Sequence, residues 1–281
     1  MPEGQTVPET PLQAKSPYEL RVNLGKGVPD TDVRTALATG DMGFLHSFTT
    51  GSTLDGPGVR VVAWTTGCMM RCLYCHNPDT WTMSNGLPVT IVQATEQLRK
   101  YRHGLKVMSG GFTLSGGEPL MQHRFAVKLL TAAKGLGIHT ALDTNGLFGD
   151  RLTDAELGVV DLVLLDLKMS DPARHRQLTG MEVGPVLAFA QRLAQLRRPI
   201  WVRYVLVPGF SDDVEDIAET AAFAATLGCV ERVEVLPFHQ MGKYKWKNLG
   251  LEYKLEHVEP PSTQVVERTC AVFRAVGLKA Y

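Results

Sequence analysis

Val159-Val160-Asp161-Leu162-Val163-Leu164-Leu165-Asp166-Leu167-Lys168 contains a stretch, Leu162 to Leu167, that is almost continuously apolar. Such a run suits a β-strand covered on both faces, and cover on both faces implies helices packed around a parallel sheet. The flanking sequence repeats the arrangement. On the amino-terminal side, Arg60–Thr66, Phe112–Ser115 and His139–Thr144 read as strands. Helical stretches separate them. The first opens at the capping box Thr90-x-x-Gln93, and the second runs from about His123 to Lys134 with Phe125, Leu129 and Ala133 on one face. Gly135 to Gly137 end that second helix, and another capping box, Thr153-x-x-Glu156, opens a short helix before the apolar run. On the carboxyl-terminal side, Phe189, Leu193 and Leu196 mark a helix, and Trp201–Val207 is a strand stopped by Pro208-Gly209. Ser211 or Asp212 then caps an Ala-rich helix reaching Leu227. Arg232–Leu236 is the last strand, and the last helix carries Val265, Val266, Val272 and Phe273 up to Gly277. Six βα units result, and the fold class is α/β.

Composition narrows the function. The chain has 281 residues, 44% hydrophobic and 21% charged, with 29 basic and 29 acidic side chains. A net charge of zero gives no broad basic field for nucleic acid or an anionic membrane, and neither is expected as a partner. Asp161 and Asp166 interrupt the apolar run, and no stretch approaches the ~20 apolar residues that span a bilayer. The first ten residues lack a secretory pattern, so the cytoplasm is the expected location. Residues 1–43 hold five of the sixteen prolines, one aromatic residue and no sustained apolar period, which predicts a flexible N-terminal extension before a single domain at 44–281.

Polar residues collect at the carboxyl ends of the strands, where parallel α/β folds build their sites. Cys68, Cys72 and Cys75 follow the first strand, Gly116-Gly117-Glu118 the second, and Asp143-Thr144-Asn145 the third. Asp166 and Lys168 end the fourth, Arg203 lies in the fifth, and His239 follows the sixth. Taken singly, each is also an ordinary loop polar. Three cysteines within eight residues suit metal better than disulfides. Zinc wants a fourth ligand, and no second Cys-x-x-Cys pair is evident; His76, directly after Cys75, is better read as a neighbour than as a ligand. An iron–sulfur cube held by three cysteines leaves one iron open to a substrate or cofactor. A structural zinc knuckle or three reduced thiols remain the alternatives. Cys229 and Cys270 read as structural, and Lys243, Lys245 and Lys247, interleaved with Tyr244 and Trp246, as a solvated loop or a partner-docking surface. Gly56-x-Gly58 lacks the remaining glycine and the context of a dinucleotide site.

Cys68-x3-Cys72-x2-Cys75 followed by Ser115-Gly116-Gly117-Glu118-Pro119 resembles the radical S-adenosylmethionine superfamily. Asp55-Gly56-Pro57-Gly58-x-Arg60, Tyr74-Cys75-His76-Asn77, Leu142 to Gly146, Leu165 to Lys168 and Leu236 to His239 resemble the pyruvate formate-lyase activating enzymes, from about Gly43 to the C-terminus. The resemblance implies a partial (β/α)6 TIM-like barrel, the radical SAM fold. It implies a 4Fe-4S cluster on Cys68, Cys72 and Cys75, with S-adenosylmethionine on the fourth iron. The reacting set would be Cys68, Cys72, Cys75, Lys168 and His239. Tyr74, Cys75, His76, Gly116, Gly117, Glu118, Asp143, Asp166, Leu167, Lys168, Arg203 and His239 would bind the cofactor. The family also suggests a monovalent cation near Asp143, Thr144 and Asp166. Reductive cleavage to methionine and 5′-deoxyadenosine would then place a radical on a glycine of pyruvate formate-lyase, with reduced flavodoxin or a similar donor supplying the electron to a monomeric enzyme. A different glycyl-radical enzyme as partner, or a non-catalytic metal-binding module, are the competing readings; the ferredoxin-like insert of larger activases is absent.

Overall fold

Leu162, Val163, Leu164 and Leu165 are all buried, and alternate residues enter different environments. Val163 and Leu165 pack with Val186, Phe189 and Leu193 in the main core. Leu162 and Leu164 pack with Ala141 and Trp201 on the opposite side of the sheet. The strand is thus covered on both faces, as its composition requires.

The computed structural model describes residues 19–20 and 30–281. In chain order the elements are β1 (Glu19–Leu20), α1 (Asp30–Thr39), β2 (Met42–Ser52), β3 (Arg60–Thr65), β4 (Leu87–Thr90), α2 (Ile91–Val107), β5 (Gly111–Gly116), α3 (His123–Gly135) and β6 (His139–Thr144). They continue as α4 (Asp154–Leu157), β7 (Leu162–Asp166), α5 (Pro172–Thr179), α6 (Gly184–Gln195), β8 (Ile200–Leu206), α7 (Val214–Thr226), β9 (Val230–Pro237), α8 (Lys243–Asn248) and α9 (Thr263–Ala275). β3, β5, β6, β7, β8 and β9 pair in that order, all parallel. They are the six strands expected from the sequence, and the path does not close on itself, which makes a partial barrel. Both capping boxes form: Thr90 and Thr153 accept from the backbone N–H of Gln93 and Glu156, whose side chains accept in return.

Four features differ from the sequence reading. β2 was not expected; it pairs antiparallel with β3, and β4 and β1 pair antiparallel with β2. Two register shifts interrupt its pairing with β3, so the two-residue alternation that would reveal a strand is lost. α1 falls inside the expected extension, and β2 begins before residue 44. They are fastened to α3: Arg124 donates to the Ala38 carbonyl, and Lys128 lies 2.6 Å from Asp41. α1 and the start of β2, both within the extension expected at 1–43, thus pack against α3; residues 1–18 and 21–29 lie outside the described residues. α5 and α8 were also unforeseen. Finally, Asp213 caps α7, accepting from the N–H of Glu215 and Asp216. Ser211 and Asp212 instead close the preceding turn through Val207 and Gly209.

Beneath the site, Arg60 is completely buried. Its Nε donates to Thr113 Oγ1 at 3.0 Å, and its terminal nitrogens donate to the carbonyls of Phe112 and Pro57. Thr113 donates in turn to the Asp55 carbonyl at 2.6 Å. Burial lowers the Arg60 pKa to about 10, opposed by the charges of Asp55 and Asp161. Gly58 makes the tight approach possible: its φ is +68°, and a Cβ there would sit 2.2 Å from the Ser109 carbonyl oxygen. The segment 55–58 is thus a turn stitched to β5. Arg60→Ala strands several buried acceptors and should cost roughly 3 to 5 kcal/mol. The urea midpoint would fall accordingly; an unchanged midpoint would show that the stitch carries no stability.

Candidate active site

The loop after β3 has little regular structure of its own, so other elements hold it. Gly67 and Cys68 donate to the carbonyls of Thr80 and Trp81, while Arg71 and Leu73 donate to Thr179 and Leu178 at the end of α5. Trp246 of α8 is buried and donates from Nε1 to the Cys75 carbonyl at 2.8 Å. Lys245 reaches Asn77 at 2.8 Å and Asp79 at 3.0 Å. The stretch read as a solvated loop is therefore a helix clamped onto the cysteine loop. Its tryptophan faces inward, and Tyr244 alone of the two aromatics is exposed.

Cys68, Cys72 and Cys75 line one cavity of about 590 Å³ at the carboxyl ends of the strands. Burial raises the pKa of all three thiols, that of Cys75 to about 12. For Cys68 and Cys75 neighbouring cysteines add to the rise, and for Cys68 Glu118 does so too. Lys168 pulls the other way at Cys72. Asn145 Nδ2 points at Cys68 Sγ from 3.7 Å.

Strand alternation sets the opposite wall. Asp166, Arg203 and Glu234 stand in register on β7, β8 and β9, one rung across three parallel strands. All three line the cavity. Arg203 lies 3.3 Å from Asp143 and 3.4 Å from both Asp55 and Glu234. Burial works against its charge, but these carboxylates outweigh it and hold the Arg203 pKa above its ordinary value. Lys168 is 5% exposed, with Nζ 2.8 Å from Asp166 and 5.3 Å from the centre of the Tyr74 ring. Here too the penalty of burial is exceeded, chiefly by Asp166, and Lys168 titrates well above its usual range. His76 and His239 stack at 4.0 Å and 23°, and His76 Nε2 lies 3.1 Å from the His239 carbonyl. Burial lowers the His76 pKa.

Gly116 and Gly117 reach the cavity as expected, although the chain itself demands the first: Gly116 has φ of +131°, and a Cβ would lie 2.1 Å from the Thr65 nitrogen. Three residues read as cofactor-binding stand behind the wall. Leu167 is fully buried in the core. Asp143 is occupied by Ser115 Oγ at 2.6 Å and by Arg203, with burial pushing its pKa up to about 6. Glu118 accepts from the N–H of Leu120 and Asn145 and from Thr144 Oγ1, tying the β5 loop to the β6 loop. Arg232, Glu234 and Tyr281 line the cavity and were missed. For the first two the signal was present, since they stand two positions apart on the strand, with only Val233 between them, and side chains two apart share a face.

Residues 62–223 match the model of the radical SAM superfamily. The pyruvate formate-lyase 1-activating enzyme of Escherichia coli strain K12 is 42% identical over 240 residues, covering 85% of this chain and 98% of that one. The pyruvate formate-lyase-activating enzyme of Staphylococcus aureus strain USA300 is 43% identical over 244 residues, covering 84% and 96%. A crystal structure of a domain of the pyruvate-formate lyase-activating enzyme of Bacteroides vulgatus superposes with a TM-score of 0.52 at 28% identity, over 61% of this chain and 98% of that domain. The chain belongs to the pyruvate formate-lyase activating enzymes of the radical SAM superfamily. Membership implies S-adenosylmethionine and an iron–sulfur cluster as cofactors.

The donor set fits such a cluster. Three neighbouring thiols kept neutral by burial need a strong positive centre before they can ionise together. Among the described residues no group of three His, Cys, Asp or Glu side chains is arranged to hold a single metal ion. A cube does not need one, because each of its irons takes a separate thiolate.

Glu118 offers a pH test of the frame behind the site. Burial lifts its pKa from 4.5 to about 7, against the pull of its three donors. A carboxyl raised by folding is held most firmly below its unfolded value, so its contribution is full below pH 4.5 and is lost as pH rises through about 7. Wild-type stability should therefore fall relative to Glu118→Gln across that window, by at most about 1.4 kcal/mol per pH unit. Parallel urea midpoints for the two proteins would refute the assignment.

Proposed function

We propose that this chain activates pyruvate formate-lyase by placing a radical on one of its glycines. The observation that carries the reading is the convergence of Cys68, Cys72 and Cys75 with Lys168, Asp166 and His239 on one cavity, in a chain similar over nearly its whole domain to enzymes named for that task. Cys68, Cys72 and Cys75 would hold the cluster. Bound together, the cluster and S-adenosylmethionine supply a one-electron reductive cleavage that yields methionine and a carbon radical able to take the hydrogen atom of a glycine Cα.

The chain's residues bind and orient. Lys168, buried and charged, meets a carboxylate; Asp166 both holds Lys168 in place and accepts hydrogen bonds from a cationic or hydroxyl group. The stacked pair His76 and His239 offers a flat wall, and Gly116 and Gly117 leave backbone exposed beside the thiols. Met70, Trp81 and Val205 make much of the remaining wall apolar, which keeps water from a reactive carbon centre. A monovalent cation near Asp143, Thr144 and Asp166 belongs to the same reading through the family resemblance; in this structure Arg203 and Lys168 engage the two carboxylates. So do a strong one-electron donor such as reduced flavodoxin, a monomeric state and a cytoplasmic location. The five cysteines are all free, in keeping with a reducing compartment, and no helix of the described residues is long and apolar enough to cross a membrane.

Anaerobic reconstitution should load about four iron and four sulfide. With reductant, S-adenosylmethionine and pyruvate formate-lyase, electron paramagnetic resonance should show a glycyl radical. Cys68→Ala, Cys72→Ala and Cys75→Ala should each abolish the signal, whereas Cys229→Ala and Cys270→Ala should retain it. A signal surviving loss of any of the first three would overturn the ligand set, and one appearing only on a different glycyl-radical enzyme would overturn the partner.

A further inference from the structure

The rim of the cavity carries an aromatic residue that the chemistry above leaves unused. Tyr281 is 62% exposed, yet it lines the cavity and is held in a fixed place. Its N–H donates to the Val233 carbonyl at 3.1 Å and its carbonyl accepts from the Val235 N–H at 3.0 Å, so it rides the outer edge of β9. Its ring centre lies 4.6 Å from the Arg232 guanidinium, which also lies 4.5 Å from the centre of the Trp201 ring. Trp201 is itself anchored by donating to Glu231 at 3.1 Å. One cation thus contacts two rings, an arrangement that fixes ring orientation. Arg232 Nε is buried and makes no hydrogen bond, the nearest carboxylate oxygen, of Glu234, being 3.7 Å away. The two rings and the Glu234 carboxylate are thus the contacts that hold the guanidinium.

We propose that Tyr281, held in place by Arg232, is a specificity-determining contact for the glycine-bearing segment of the partner enzyme, an inference that rests on the function proposed above. Depth separates the two reactants: Cys68 is only 8% exposed, while Tyr281 on the same cavity wall is 62% exposed. A cofactor joined to a cluster on the cysteines would fill the inner part, leaving the rim to the second reactant. Glycine suits an aromatic wall because, lacking a side chain, it lets a flat ring meet the peptide backbone directly. A ring already immobilised loses little entropy on contact, which is what makes tyrosine effective at interfaces. Leu54, 78% exposed and also on the cavity wall, supplies a second apolar contact, its carbonyl held by Arg203.

The test uses the full chain, reconstituted with iron and sulfide, and a peptide bearing the radical glycine of pyruvate formate-lyase, with methionine release and the glycyl signal as readouts. Tyr281→Ala should raise the peptide KM about tenfold while kcat and the half-saturating S-adenosylmethionine concentration stay within about twofold. Tyr281→Phe should restore the wild-type KM, since the ring face and not the hydroxyl makes the contact. Arg232→Met should raise KM by a smaller factor. A Tyr281→Ala protein with wild-type peptide KM overturns the inference alone. So does one whose S-adenosylmethionine requirement rises with the peptide KM unchanged. A wild-type protein that forms no radical on the peptide overturns the proposed function and this inference with it.

Discussion

Three cysteine thiols brought together in one poorly solvated cavity are the constraint around which the rest of the molecule is arranged. A thiolate in a poorly solvated site is costly, and two more beside it make it costlier. Lys168 is the cation that offsets this at Cys72, but Asp166 already claims most of its charge. Burial thus favours the neutral thiols over charged ones. The loop's shape has to be imposed from outside, and α5, α8 and the segment around Thr80 and Trp81 impose it through backbone hydrogen bonds. That division of labour leaves the cysteine side chains free to serve a cofactor while their main chain is fully committed to the fold.

The opposite wall solves a related problem by different means. Four carboxylates, Asp55, Asp143, Asp166 and Glu234, gather near Arg203, Lys168 and Arg232 in or beside the cavity. Buried pairs of this kind seldom stabilise a fold, because desolvation consumes what attraction returns. The rung Asp166, Arg203, Glu234 is better understood as a device for position: each charge is fixed by neighbours on adjacent strands, and the barrel carries them at one height. Arg203 shows the logic, since one guanidinium contacts groups from the 54–55 turn, β6 and β9. Losing it would leave several carboxylates in mutual repulsion, so the wall behaves as a unit.

What could be read from the sequence follows from the range of the interactions involved. The six parallel strands were legible because short β-rich runs alternate with helical stretches and end at turns or glycines, and the capping boxes because they are satisfied within four residues. The cysteine spacing carried the chemistry for the same reason. β2 was illegible because its register shifts break the alternation, and α8 because a six-residue helix with three lysines owes its existence to one buried tryptophan and to Asp79. Glu118 and Asp143 lie in the neighbourhood read from the sequence but do not line the cavity. Glu118 follows β5 and Asp143 lies near the end of β6, and the donors that tie them across to neighbouring strands, Thr144 and Asn145 for Glu118 and Ser115 for Asp143, lie 26 to 28 positions away in the chain, beyond the reach of local sequence patterns.

The segment Asp55-Gly56-Pro57-Gly58-x-Arg60 joins these strands of argument. Its residues can be read as a turn or as a mark of partner choice, and the structure makes the two compatible. Gly58 supplies the turn, and Arg60 stitches it to β5 from below, in a place no solvent reaches. The consequence appears at the other end of the same turn: Asp55 and the Leu54 carbonyl are carried over the cavity mouth to meet Arg203. A buried arginine far from the thiols thereby fixes the height of one side of the rim, while β9 and Arg232 fix Tyr281 on the cavity wall. The mouth is thus defined by residues whose own anchors lie in the core. Such an opening keeps its width without a lid, as a cavity must if it is to receive a segment of another protein and still hold that segment's glycine near a short-lived radical.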